Sequence, residues 1–313
     1  MMIRLFFLTT IFLAGLYGPV HAQELFSTLD DAVKALQMAV NAQDKSQLNE
    51  IFGEGFKGLL TGDEVLDQNN ERKFANLLAT GYVLLKDGDD KVTVEVGADH
   101  WPMPVPLVKA DGKWYFDTEA GKDEIINRHI GKDELYAIAV CRAYVAAQWK
   151  YASMNAPANG KVGEVFAQRF KSTPGKKDGL YWPEAPGEAA SPFGPLVAEA
   201  HAEGYKHHKG EGPHPFHGYY FRIMTRQGKN APGGKINYMQ HGKLTDGFAL
   251  VAYPVNWGSS GIMTFIVNQD AKVFEQNLGK KTIHIAEIMK EYDPDKKWTL
   301  VTDDGPANAV LEK

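Results

Sequence analysis

Five of the ten histidines fall between positions 201 and 217: His201, His207, His208, His214 and His217. Neutral imidazole is a good ligand for zinc, copper or nickel, and a loop can fold several around one ion. These histidines are interleaved with Lys206, Lys209 and prolines and lack the fixed helical spacing of a zinc motif. Glu211 is the one carboxylate between His207 and His217. The stretch reads first as a solvated polar loop and second as a metal site. In Asn155–Glu164 the one carboxylate is Glu164, whereas calcium asks for several hard oxygen donors, so no calcium is expected.

Asp117, Glu119, Asp123 and Glu124 could supply a general acid and base. They follow a strand and precede a helix expected near Asp123, where capping and the helix dipole favour acids without any catalysis. Cys141 lies in an apolar helical stretch and reads as a buried, inert thiol. Trp101, Trp182 and Trp257 stand beside proline or glycine in expected loops. Exposed indoles of this kind stack on sugars or anchor a partner protein, and equally serve as lids over small cores. There is no Gly-x-Ser-x-Gly elbow, Walker loop, dinucleotide fingerprint or His-Glu-x-x-His helix. The sequence therefore offers no catalytic residue and no cofactor, and it favours a binding protein over an enzyme.

The elements that would position these residues follow from periodicity. Thr28 caps a helix with Asp30 and Asp31 in its first turn and Leu29, Val33, Leu36 and Val40 at helical spacing. A short helix carries Leu48, Ile51 and Phe52, residues 53–62 read as a loop, and Arg72–Thr80 reads as a third helix. Tyr82–Lys86 and Lys91–Gly97 flank the turn Asp87-Gly88-Asp89-Asp90, and Val92, Val94 and Val96 alternate as in a half-buried strand. Pro102, Pro104 and Pro106 make Trp101–Leu107 an edge strand or extended arm. A spine helix is expected from Asp133 to about Ser153, then a long Gly-, Pro- and His-rich connection over 155–218. Four antiparallel strands follow, Tyr219–Thr225, Gly247–Tyr253, Ile262–Asn268 and Lys272–Glu275, and a closing helix from Thr282 to Tyr292. The fold class is α+β, organised as a domain over 23–130 and a second over 131–313.

The leading segment explains the rest of the composition. Arg4, an apolar run over Leu5–Leu16 and the end Val20-His21-Ala22 match a cleavable signal peptide over 1–22, with the mature chain starting at Gln23. The run is shorter than the roughly 20 residues of a membrane span, so an uncleaved anchor is the weaker alternative and no transmembrane segment is expected after cleavage. The chain is then periplasmic or secreted. One cysteine rules out an internal disulfide framework. A net charge of −5 without a basic tract leaves no footprint for nucleic acid.

From Thr28 onward the sequence resembles an exported bacterial family, domain-of-unknown-function family 2950. The likeness is carried by Asp99-His100-Trp101-Pro102-Met103-Pro104-Val105-Pro106-Leu107-Val108, Trp114-Tyr115-Phe116-Asp117-Thr118, Ser172–Pro183 and Ala249-Leu250-Val251-Ala252-Tyr253-Pro254. The spine helix ending Gln148-Trp149-Lys150-Tyr151-Ala152, a long loop and four strands also resemble the globular head of type IV pilins and pseudopilins. The pilin's hydrophobic N-terminal helix half is absent before Asp133. The helices and meander of the first half resemble the cone of the nuclear transport factor 2 superfamily in element order. These resemblances imply an exported envelope protein, a non-catalytic binding or assembly factor whose partner is another envelope protein. The alternative is a periplasmic hydrolase or a small-ligand or metal-binding protein, using an N-terminal pocket or the histidine loop.

Overall fold

Side-chain caps set the first three helices. Thr28 accepts from the Asp31 N–H at the start of α1 (Leu29–Ala42), and Asp44 accepts from Ser46 and Gln47 at the start of α2 (Lys45–Phe52). Asp63 accepts from Val65 and Leu66 at the start of α3 (Glu64–Thr80). Each such cap is worth about 1 kcal/mol. The structure, a computed structural model, describes residues 23–155, 165–205 and 214–302. The expected signal segment over 1–22, His207, His208 and nearly all of Asn155–Glu164 lie outside the described residues.

The fold is α+β. Its first sheet contains β1 (Tyr82–Lys86), β2 (Lys91–Val96), β3 (Trp101–Pro102), β4 (Leu107–Ala110) and β5 (Lys113–Phe116), all antiparallel in the order β1-β2-β4-β5 with β3 beside β2. Val92, Val94 and Val96 turn inward and close a core with Val33, Leu36, Ile51, Phe52, Leu107 and Phe116. Burying each large side chain here contributes roughly 1.5–3 kcal/mol.

One helix, α4 (Thr118–Met154), then runs for 37 residues and touches both halves. Its N-cap is Asp117, and Thr118 Oγ1 donates to the Phe52 carbonyl at 2.7 Å. Gly121 has no room for a side chain: an added Cβ would stand 2.6 Å from the Pro104 carbonyl oxygen, so the extended arm packs directly on the helix backbone. This corrects the expected starts at Asp123 and Asp133. Asp133 resembles a cap ahead of an apolar run, but it is 1 % exposed in mid-helix, and no proline interrupts the chain from 118 to 133.

Beyond α4 come α5 (Gly194–Ala202) and a second sheet. Its strands are β6 (Tyr219–Met224), β11 (Ala249–Pro254), β12 (Met263–Asn268), β13 (Phe274–Asn277) and β14 (Thr299–Leu300), in the order β14-β13-β12-β11-β6. Two small ribbons lie between, β7 (Arg226–Gln227) with β8 (Ile236–Asn237) and β9 (Met239–Gln240) with β10 (Lys243–Leu244). The four expected strands are present, with β14 as a fifth, two-residue edge that carries too little pattern to be read. β11 is buried at all six positions and β12 at five of six. They pack on α4 around Cys141, Tyr144, Val145, Phe248 and Phe265. The closing helix α6 (Thr282–Ile288) ends earlier than expected.

Candidate functional site

The structure brings no two of the three candidate tryptophans into one site. Trp101 lies on β3, 37 % exposed, with the Arg128 guanidinium over its ring at 4.8 Å. Trp182 is 4 % exposed and belongs to the C-terminal core; its Nε1 donates to the Ala189 carbonyl at 3.2 Å. Proximity to Pro183 signalled a loop, but the loop folds back and buries the indole.

Trp257 lines an open depression of ≈ 350 Å³ with Asn256, Lys280 and Ile283. The surrounding loop is braced: Asn256 N donates to Ser260 Oγ at 2.9 Å and Ser260 N to Asn256 O at 3.0 Å. The indole is fixed by its Nε1 donating to Asn277 Oδ1 at 2.9 Å. Asn256 Nδ2 also donates to the Thr61 carbonyl at 3.2 Å, so the depression is tied to the N-terminal half. A fixed aromatic face, an aliphatic side chain that is 38 % exposed and an ammonium group suit a ligand that is apolar and anionic. A second hollow, of ≈ 230 Å³, runs between Ala143, Ala146 and Lys150 of α4 and Pro192, Phe193 and Leu196.

The histidines separate. His201 and His214 are exposed, whereas His217 is 3 % exposed at a left-handed backbone position, φ 46°. Its ring lies flat on Tyr136, with centroids 3.7 Å apart and planes within 3°. Nε2 stands 2.7 Å from Glu203 Oε2, an ion-pair distance when the ring is protonated, although the ring N–H does not aim along a hydrogen-bond line. Among the described residues no three of His, Cys, Asp and Glu are placed to hold one metal ion.

His217 belongs instead to a buried polar seam that sequence reasoning missed. Asp63 Oδ2 accepts from the Tyr205 hydroxyl at 2.8 Å and from Gly218 N at 3.1 Å, and the Tyr205 oxygen in turn accepts from His217 N at 3.0 Å. Asp67 accepts from the Thr61 amide and hydroxyl at 2.9 and 2.8 Å. Asn69 Nδ2 donates to the Glu203 carbonyl at 2.8 Å. Asp133 sits among them, with no hydrogen-bond partner for Oδ2.

Burial drives the titration of this seam. The Asp133 carboxyl is pushed up to about 9, first by burial and further by Asp63, Asp67 and Glu134, against the pull of Lys132. Burial and Lys73 push the Lys132 ammonium down, and burial lowers His129 against the pull of Asp67. Burial and then Asp63 raise the Tyr205 hydroxyl. In an open cleft a carboxyl held neutral would suit a general acid. Asp133 at 1 % and His217 at 3 % exposure are buried, and the seam they belong to joins the two halves.

Three of the four acids beginning α4 have local roles, and the fourth, Asp123, is exposed. Asp117 Oδ1 caps Ala120 N, Glu119 pairs with Lys122 at 3.4 Å, and Glu124 pairs with Arg128 at 2.7 Å. Cys141 is fully buried, and burial pushes its thiol up to about 12. The third helix was expected over Arg72–Thr80, but it starts at Glu64 behind the Asp63 cap, which sequence reading missed. Tyr205 and Gly218 reach it across 142 and 155 positions.

The geometry defines an α+β protein with two apolar cores, a buried polar seam and an open depression beside Trp257. The chain belongs to the family described as protein of unknown function DUF2950, whose model matches residues 23–301. Neither the curated proteins nor the solved structures include a match to the chain. Among the described residues no helix is long and apolar enough to cross a membrane.

Proposed function

We propose that this is an exported, non-catalytic envelope protein that binds a segment of another protein in the Trp257 depression. The observation that carries this reading is the fixed indole of Trp257, edged by Ile283 and Lys280 in one open hollow. An apolar side chain next to a carboxylate, in an extended stretch of the partner, fits that lining. The Asp133 carboxyl, which burial pushes up to about 9, is 1 % exposed, which supports binding over catalysis. The N-terminal core is filled by Val33, Leu36, Ile51, Phe52 and Phe116, which weighs against a ligand pocket there.

Export is supported by the residue-1–22 pattern, and Gln23 itself is held by the folded chain. The Gln23 side chain donates to the carbonyls of Ile51 and Phe116 at 2.9 and 2.6 Å, so the residue after the expected cleavage point is already anchored. A comparison of affinity captures from envelope extract tests the reading. A partner held by the wild type and by Trp101→Ala, but lost with Trp257→Ala, is the expected outcome. Equal recovery with all three would refute the site.

A further inference from the structure

The N-terminal sheet has one edge left open. At its far side Phe26 covers β5 by exchanging backbone hydrogen bonds with Trp114, both at 2.8 Å. At the near side β1 pairs, among the described residues, only with β2. Gly97 N donates to Gly81 O at 3.0 Å and Asp87 N to Lys91 O at 2.9 Å, which fixes the phase of the ladder. Residues 81, 83, 85 and 87 therefore face β2, and the N–H and C=O groups of Tyr82, Leu84 and Lys86 point away from the sheet. Natural edges are usually blunted by proline, by inward charges or by a covering segment. Here the strand reads Tyr-Val-Leu-Leu-Lys, and its outer face shows Val83 and Leu85 at 45 % and 54 % exposure.

We propose that β1 is the pairing edge of a two-fold dimer, with a second copy of this chain added antiparallel about Leu84. The strand is self-complementary in that register. Leu84 meets Leu84 of the second copy as a hydrogen-bonded pair, and Tyr82 meets Lys86 in the same way, so every outward backbone group finds a partner. Val83 then faces Leu85 across a non-hydrogen-bonded pair, the closer of the two spacings, and the exposed apolar face covers itself. Charge agrees on the inner face. The Tyr82 hydroxyl lies 3.5 Å from Asp30 Oδ1, which places an acid where Lys86 of the second copy arrives. No like charges oppose each other in this register. A contact of one short strand is small, so the dimer is concentration-dependent, with dissociation on the order of 10–100 µM.

Sedimentation of the purified protein from about 1 to about 500 µM tests this, a range that brackets dissociation at that strength. The wild type is expected to move from monomer to dimer. Val83→Lys with Leu85→Lys sets like charges face to face twice and should weaken association at least tenfold. Val83→Glu with Leu85→Lys sets opposite charges at the same two places and should keep it. Both pairs replace exposed side chains, and Glu95 opposite Val83 on β2 favours the lysine there, so unfolding would act against the expected difference. A wild type that stays monomeric overturns the proposal. So does a dimer untouched by the paired lysines, or one lost equally in both variants.

Discussion

The Tyr205 hydroxyl donates to Asp63 Oδ2 at 2.8 Å, joining residues 142 positions apart. The same carboxylate caps α3 through Oδ1, at 3.1 Å to Val65 N and 3.2 Å to Leu66 N. One side chain thus starts a helix in the first half and fastens the second half to it. Asp63→Ala is expected to cost about 2–4 kcal/mol, a lost cap plus two buried donors left without an acceptor. Tyr205→Phe should cost only about 1 kcal/mol, since it removes one donor. Urea titrations of both variants, followed by far-ultraviolet circular dichroism, give the comparison.

Gly218 stands at φ 71° where the chain enters β6, and an added Cβ would lie 2.5 Å from Asp133 Oδ2 and 3.0 Å from Ser260 Cβ. Gly218→Ala meets both the left-handed backbone and the close approach. A loss on the order of 2–3 kcal/mol is expected, read from the urea midpoint.

Asp133 gives the seam a pH dependence. Its folded value of about 9 lies above the ordinary carboxylate value of 3.8, because burial disfavours the charged form. Between those limits the folded chain binds more protons than the unfolded one, so this group makes stability fall as pH rises. Its contribution is full below about pH 4 and lost as pH climbs through about 9. Asp133→Asn removes the slope while keeping the shape. The variant should gain on the wild type between about pH 5 and about pH 9, by on the order of 2 kcal/mol at the upper end. Unfolding midpoints for both proteins across that range provide the check, and parallel pH curves would contradict it.

Cys141 reports global opening. It is fully buried in the C-terminal core, and burial holds its thiol up at about 12. Thiolate is the reactive form, so alkylation should be slow in the native protein and appear with unfolding. Labelling followed by mass spectrometry across a urea series should therefore track the loss of secondary structure. Full labelling without denaturant would contradict the burial.

Much of this architecture was legible from local chemistry. Alternation of Val92, Val94 and Val96 marked a half-buried strand, and Thr28 marked a helix start; both act locally. The continuity of α4 was hidden because residues 118–132 are mostly polar and Asp133 imitates a cap, whereas contacts with Gly53–Leu59, a 3-10 helix where a loop was expected, and with the Pro104 arm hold that stretch helical. The polar seam was hidden for a different reason. Asp63, Tyr205, His217 and Gly218 meet only in the folded chain, and no spacing in the sequence encodes contacts across that distance. Of the tryptophans, neighbouring proline or glycine could not tell the buried Trp182 from Trp257 at its depression.

The most direct test of the binding account is site-specific photo-crosslinking in cells that make the protein. The reactive residue replaces Ile283, at the rim of the depression, and in a control replaces Ile288, which is 61 % exposed on the same helix and lies outside it. The account predicts one discrete adduct to another protein from position 283, lost when Trp257→Ala is added and absent from position 288. No adduct at 283, or an adduct indifferent to Trp257→Ala, would contradict it.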